Sequence, residues 1–136
     1  MSIPVAEALA VLHAAADDGR LAELCGRHGV ELVVLFGSAV NGEHPNDVDV
    51  AVGFEYGVAK DVIGFAHELA KVVPGDHVDI LDLNAAGPVA RVEALTRGRV
   101  LYEARPSVFA QREIAALGEY LDTAYLREAL LRELAR

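Results

Sequence analysis

The stretch VELVVLF, Val30 to Phe36, constrains this chain more than any other. Glu31 is its one polar residue, valine recurs through it, and Gly29 and Gly37 bound it. A short, nearly unbroken apolar run rich in β-branched residues is a buried strand. A buried strand needs neighbours on its edges and a layer over its face, so the remaining segments must supply a sheet and helices.

They do. GSAVNGEHPN, which follows, is rich in turn residues, and DVDVAV (47–52) then alternates strictly. Val48, Val50 and Val52 face one way; Asp47, Asp49 and Ala51 face the other. HVDILDL (77–83) is a third strand and RVLYE (99–103) a short fourth. Ser2, Pro4 and Glu7 mark the start of a first helix with Val5, Leu9, Val11 and Leu12 as its face. Asp17 or Asp18 caps a second, carrying Leu21, Leu24 and Cys25, and Gly29 ends it. A third spans about Val58 to Val73 with Val62, Phe65, Ala66 and Leu69 as its stripe, before Pro74 and Gly75. Pro88 opens a short helix through Val92 and Leu95 to Gly98. Pro106 opens a long one striped by Ile114, Leu117, Leu121, Tyr125, Leu130 and Leu134. The expectation is an α+β fold of two layers: a mixed sheet with helices on one face, an acidic cleft on the other, and a long C-terminal helix. Its 136 residues suit a single domain, with a core at about 30–103 and the last helix at about 106–135.

Charge narrows the partners. Twenty-one acids against twelve bases give −9, and all of the excess lies before residue 105; the tail is balanced at five of each. Such a surface does not track a nucleic-acid backbone unaided, so no direct nucleic-acid contact is expected. No apolar run is long enough to span a bilayer, the N-terminus has no secretory pattern, and the lone Cys25 can form no internal disulfide. The expected compartment is the cytoplasm, without a membrane.

Asp47 and Asp49 project from one face of a strand otherwise made of valine and alanine, where carboxylates are costly unless neutralised. If the second and third strands are neighbours, Asp79 joins them, and the local sequence offers no lysine or arginine to relieve three like charges. An all-oxygen set of this kind suits Mg²⁺ or Mn²⁺; the plain alternative is a wet strand end. Gly37 and Ser38, directly after the first strand, form a turn whose backbone N–H groups and hydroxyl can meet phosphate.

In order and spacing, LFGSAVNGEHPNDVDVAV and VDILDL resemble the nucleotidyltransferase domain of the DNA polymerase β superfamily, and most of all its small stand-alone branch, the minimal nucleotidyltransferases. The resemblance runs from about Val33 to Glu103 and includes NAAGPVARVEALTRGRVLYE; the loop between Ser38 and Asp47 is shorter than usual in that branch. It implies the polymerase β-like fold. It implies that Gly37 and Ser38 hold the β- and γ-phosphates of a nucleoside triphosphate, that Asp47 and Asp49 bind two Mg²⁺ ions, and that Asp79 shares one metal and helps deprotonate the attacking hydroxyl. It implies transfer of a nucleoside monophosphate, AMP from ATP, to a hydroxyl acceptor. In that branch the acceptor is often a tyrosine of a partner HEPN toxin, the nucleotidyltransferase being the antitoxin.

Two other functions stand beside this one. The short loop suits a non-catalytic module that masks a toxin by contact, although a pure binder needs no clustered acids. An aminoglycoside-type nucleotidyltransferase would usually carry a second helical domain. Competing motifs fail: there is no P-loop and no G-x-G-x-x-G, and His67-Glu68 is followed by Lys71 where a zinc ligand would stand. His77 is expected at a strand end, Cys25 in the core, and Arg91, Arg97 and Arg99 as solvated charges or triphosphate contacts. The apolar end of the last helix, Leu126, Leu130, Leu131 and Leu134, is expected to meet a partner or a second copy.

Overall fold

The computed structural model describes residues 3–42 and 45–136, which leaves the Ser2 cap outside. Among the described residues the chain runs α1 (Val5–Asp18), α2 (Arg20–His28), β1 (Val30–Phe36), α3 (Ser38–Asn41), β2 (Val48–Phe54), α4 (Val62–Val72), β3 (Val78–Asp82), α5 (Pro88–Thr96), β4 (Arg99–Glu103), α6 (Val108–Asp122) and α7 (Ala124–Leu134). It is a mixed α+β fold. The sheet order is β3-β2-β1-β4. β1 pairs antiparallel with β2 and β4, while β2 and β3 run parallel because α4 carries the chain back between them.

The alternation in each strand decides what covers it. Val33, Leu35, Val48, Val50, Val52 and Phe54 pack under α1, α2 and α4, against Leu12, Leu21, Leu24, Phe65 and Leu69. Full burial of each such side chain stabilises the fold by roughly 1.5–3 kcal/mol. This is the expected helical face. α5 and α6 add a layer that the sequence reading did not include: Leu32, Val34 and Ala51, on the opposite face, pack against Ala94, Leu95, Val108 and Ala116. Two ends differ locally. α4 begins at Val62 rather than near Val58, since the Asp61 carboxylate accepts the Gly64 N–H at 2.9 Å and fixes the start. The N-cap of α2 is Gly19, not Asp17 or Asp18; Asp18 instead ends α1, and it accepts the Arg20 N–H at 3.0 Å, which holds its carboxyl below the usual carboxylate range.

The long C-terminal helix is present, divided at Thr123. The Thr123 hydroxyl bonds back to the Glu119 and Tyr120 carbonyls, and Arg127 ties the joint by bonding Thr123 and the Tyr120 carbonyl. α6 buries Val108, Arg112 and Ala116, not the larger stripe; Ile114 and Leu121 are each 70% exposed, and α7 buries nothing. The reason is Glu31. Its side chain is buried in β1, and Arg112 answers it with a 3.0 Å hydrogen bond from Nε while Nη2 donates to the Phe54 carbonyl at 2.7 Å. Arg105 adds a second contact to Glu31 at 3.1 Å. Arg112 lies across Gly53, where a Cβ would stand 2.8 Å from Cζ.

Candidate functional site

β1 ends at Phe36, and the chain turns at Gly37 with φ of 75°, a conformation that favours glycine. Phe36 is registered opposite Asp49, so the turn lies directly beside that carboxylate. A Cβ on Gly37 would stand 2.6 Å from Asp49 Oδ2. The dihedral favours glycine here, and any side chain would also push the Asp49 carboxylate aside. Ser38 begins α3, whose first closures are Val40 N–H to the Gly37 carbonyl and Gly42 N–H to the Ser38 carbonyl.

Across the other edge of β2, Asp49 is registered opposite Asp79 on β3. Parallel pairing in register sends both side chains to the same face, about 4.8 Å apart along the hydrogen-bonding direction. Asp47 stands just before β2, exposed, with the adjacent Val48 N–H anchored on the His77 carbonyl at 2.9 Å. Partial burial raises the Asp49 pKa, and the charges of Asp47 and then Asp79 raise it further. The structure thus brings Gly37, Asp49 and Asp79 side by side, with Asp47 near enough to be felt and Ser38 next along the turn.

Among the described residues, no three His, Cys, Asp or Glu side chains converge into a ready-made metal cage. The donor set still fits a hard divalent cation. Mg²⁺ is commonly held by one or two carboxylates together with substrate phosphates rather than by protein alone. Asp49 and Asp79 are such a pair of carboxylates, with the Gly37 turn alongside.

The sequence profile of the polymerase beta nucleotidyltransferases matches residues 20–107, from α2 through the end of β4. The chain belongs to that family. Its fold is also that of solved toxin–antitoxin complexes. A crystal structure of a toxin–antitoxin with AMP-PNP contains a chain matching at TM-score 0.69 and 24% identity, over 87% of this chain and 98% of that one. The tri-AMPylated Shewanella oneidensis HEPN toxin in complex with MNT antitoxin matches at TM-score 0.68 and 21% identity, over 91% and 99%. A provisionally described minimal nucleotidyltransferase matches at TM-score 0.53 and 29% identity, over 67% and 93%. No curated protein matches the sequence.

Within this family fold the other expected candidates find plain places. His77 bonds the Ile3 carbonyl at 2.6 Å, His67 is exposed, and burial pushes the Cys25 thiol up to about 12. Arg91 is no triphosphate contact. It donates to the Leu83 and Asn84 carbonyls and to Glu119 at the far end of the sheet, where it lines a small cavity with Arg112. What the sequence reading missed is that cavity wall: Asn84, Arg112 and Glu119 join Arg91 there from segments whose pairing no local period reveals. Among the described residues, no helix is long and apolar enough to cross a membrane.

Proposed function

We propose that this chain transfers a nucleoside monophosphate, AMP from ATP, to a hydroxyl acceptor, and that the acceptor is a tyrosine on a partner HEPN-type toxin which the chain thereby silences as an antitoxin. The observation that carries this reading is the contact of the Gly37 turn with Asp49, itself in register with Asp79. It puts the Gly37 turn and two facing carboxylates within one side chain's reach of each other, which supports a site where the turn meets phosphate. Gly37 lets phosphate approach the backbone, and Ser38 offers a hydroxyl to the β- and γ-phosphates. Asp47, Asp49 and Asp79 would hold Mg²⁺, two ions in the full site. Such ions, when bound, neutralise charge on the entering and leaving oxygens of an in-line displacement at phosphorus. Asp79 would accept the proton of the attacking hydroxyl.

A protein acceptor is supported by two further features. The toxin–antitoxin structures named above share the fold across nearly their whole chain. And α6–α7 leaves Leu117, Leu121, Leu126, Leu130, Leu131 and Leu134 exposed, an apolar surface of the kind that partner helices or a second copy cover. The test is co-expression with the protein encoded by the neighbouring gene, followed by incubation with Mg²⁺ and ATP labelled at the α-phosphate. Label should pass to a tyrosine of the partner, and Asp49→Asn should abolish transfer while the two proteins still co-purify. Transfer undiminished in Asp49→Asn, or silencing of the toxin without any label, would overturn the reading.

A further inference from the structure

The molecule is short of positive charge, and almost all of what it has is committed. Among the described residues, Arg20, Arg27, Lys60, Lys71, Arg91, Arg105, Arg112 and Arg136 each pair with a carboxylate. Arg127 is tied to Thr123 and the Tyr120 carbonyl and stacks on the Tyr120 ring. Among the described residues, Arg97, Arg99 and Arg132 have no such partner. Arg132 lies far out on α7. The other two flank Gly98, and Gly98 lies against the end of β1 that leads into the Gly37 turn.

That placement is built into the backbone. A Cβ on Gly98 would collide with Val34 and the Ala94 carbonyl and stand 3.1 Å from the Leu35 carbonyl. Only glycine lets the C-terminus of α5 settle so closely on β1. The consequence is that Arg97, the C-cap of α5, is held beside the last strand residues before Gly37. α5 covers the face of Leu32, Val34 and Ala51, which is also the face of Asp49 and Asp79. Arg99 is registered opposite Leu35, whose side chain enters the other face, so Arg97 is the better placed of the two.

Charge therefore changes sign across this end of the sheet. Asp79 and Asp49 stand on β3 and β2, the Gly37–Ser38 turn follows β1, and Arg97 precedes β4. Strands spaced about 4.8 Å apart put the arginine's backbone about 10 Å from Asp49 and about 14 Å from Asp79, a gap that bound phosphates and the extended arginine side chain bridge together. We propose that Arg97 binds the terminal phosphates of the nucleoside triphosphate and the pyrophosphate that leaves. The proposal rests on the function given above. It adds a cation that holds the leaving group on the side away from the carboxylates.

Calorimetric titration of the full chain with ATP, AMP and inorganic pyrophosphate, each with Mg²⁺, tests it. Arg97→Gln should weaken ATP and pyrophosphate about tenfold, the scale of a hydrogen bond to a charged group, and leave AMP unchanged. Arg97→Lys should recover most of the loss. Arg132→Gln removes the same charge from α7 and should change nothing. ATP affinity equal to wild type in Arg97→Gln, an equal loss in Arg132→Gln, or an equal loss for AMP would each overturn the assignment. If the wild-type chain itself binds no ATP, the proposed function fails first and this inference falls with it.

Discussion

Asp49 and Gly53 stand on the same face of β2, four residues apart, and the two ends of that strand treat charge in opposite ways. Above Gly53 lies a guanidinium, and the buried Glu31 beside it is met by Arg112 and Arg105. Among the described residues, every buried side-chain polar atom has a hydrogen-bond partner. Among the described residues, the charges that act on Asp49 are those of two more acids, Asp47 and Asp79, and burial and these charges raise its pKa. The first end is charge used for architecture: it pins α6 to the sheet and is complete within the chain. The second end is charge left open, and in the proposed function Mg²⁺ and the nucleotide supply its complement. Strand position alone does not separate a structural acid from a functional one; the cation facing it does.

The comparison breaks most readily at the closed end. Arg112→Ala leaves Glu31 buried without its main partner and should lower unfolding stability by about 3–5 kcal/mol, read from urea titrations. Replacing Glu31 and Arg112 together by Met should recover most of that loss, because no lone charge remains. If the single and double variants are equally unstable, packing rather than the ion pair holds α6.

A smaller effect is expected at the turn. Gly37→Ala forces a side chain into a positive φ and against Asp49, and should lower stability by about 1–3 kcal/mol with a loss of ATP binding. Part of the stability loss should vanish in the Asp49→Ala background, which removes the carboxylate the new methyl meets. A double-mutant cycle measures that coupling directly; purely additive losses would mean that turn and acid are not in contact.

How much of this was legible beforehand follows from the range of each interaction. β1 and β4 fall where the apolar runs place them, and the DVDVAV alternation correctly separates Val48, Val50 and Val52 from the acids. The partnership of Asp49 with Asp79 was legible only on condition that β2 and β3 are neighbours, a matter of strand order that the pairing supplies. The last helix was misleading. Its leucine stripe has the period of a core face, yet the core takes Val108, Arg112 and Ala116, since Glu31 lies 81 positions away and demands an arginine. No local period carries that demand. For the same reason the layer of α5 and α6 was not expected on the acidic face.

The smallest expected effect bears on the central claim, that the acid cluster is completed from outside. Thermal unfolding of wild type and Asp49→Asn, across pH and with or without Mg²⁺, reads it. The folded-state pKa of Asp49 lies above its unfolded value, so the fold favours the protonated acid. Wild-type stability from this group is present below the ordinary aspartate value, about 3.9, and is lost as pH rises through the raised one. Without metal, Asp49→Asn should therefore be slightly more stable than wild type at neutral pH and gain nothing in acid. Excess Mg²⁺ should raise the melting temperature of wild type but not of Asp49→Asn, closing or reversing the gap. A variant that is less stable than wild type at neutral pH without metal, or that responds to Mg²⁺ as wild type does, would contradict the account.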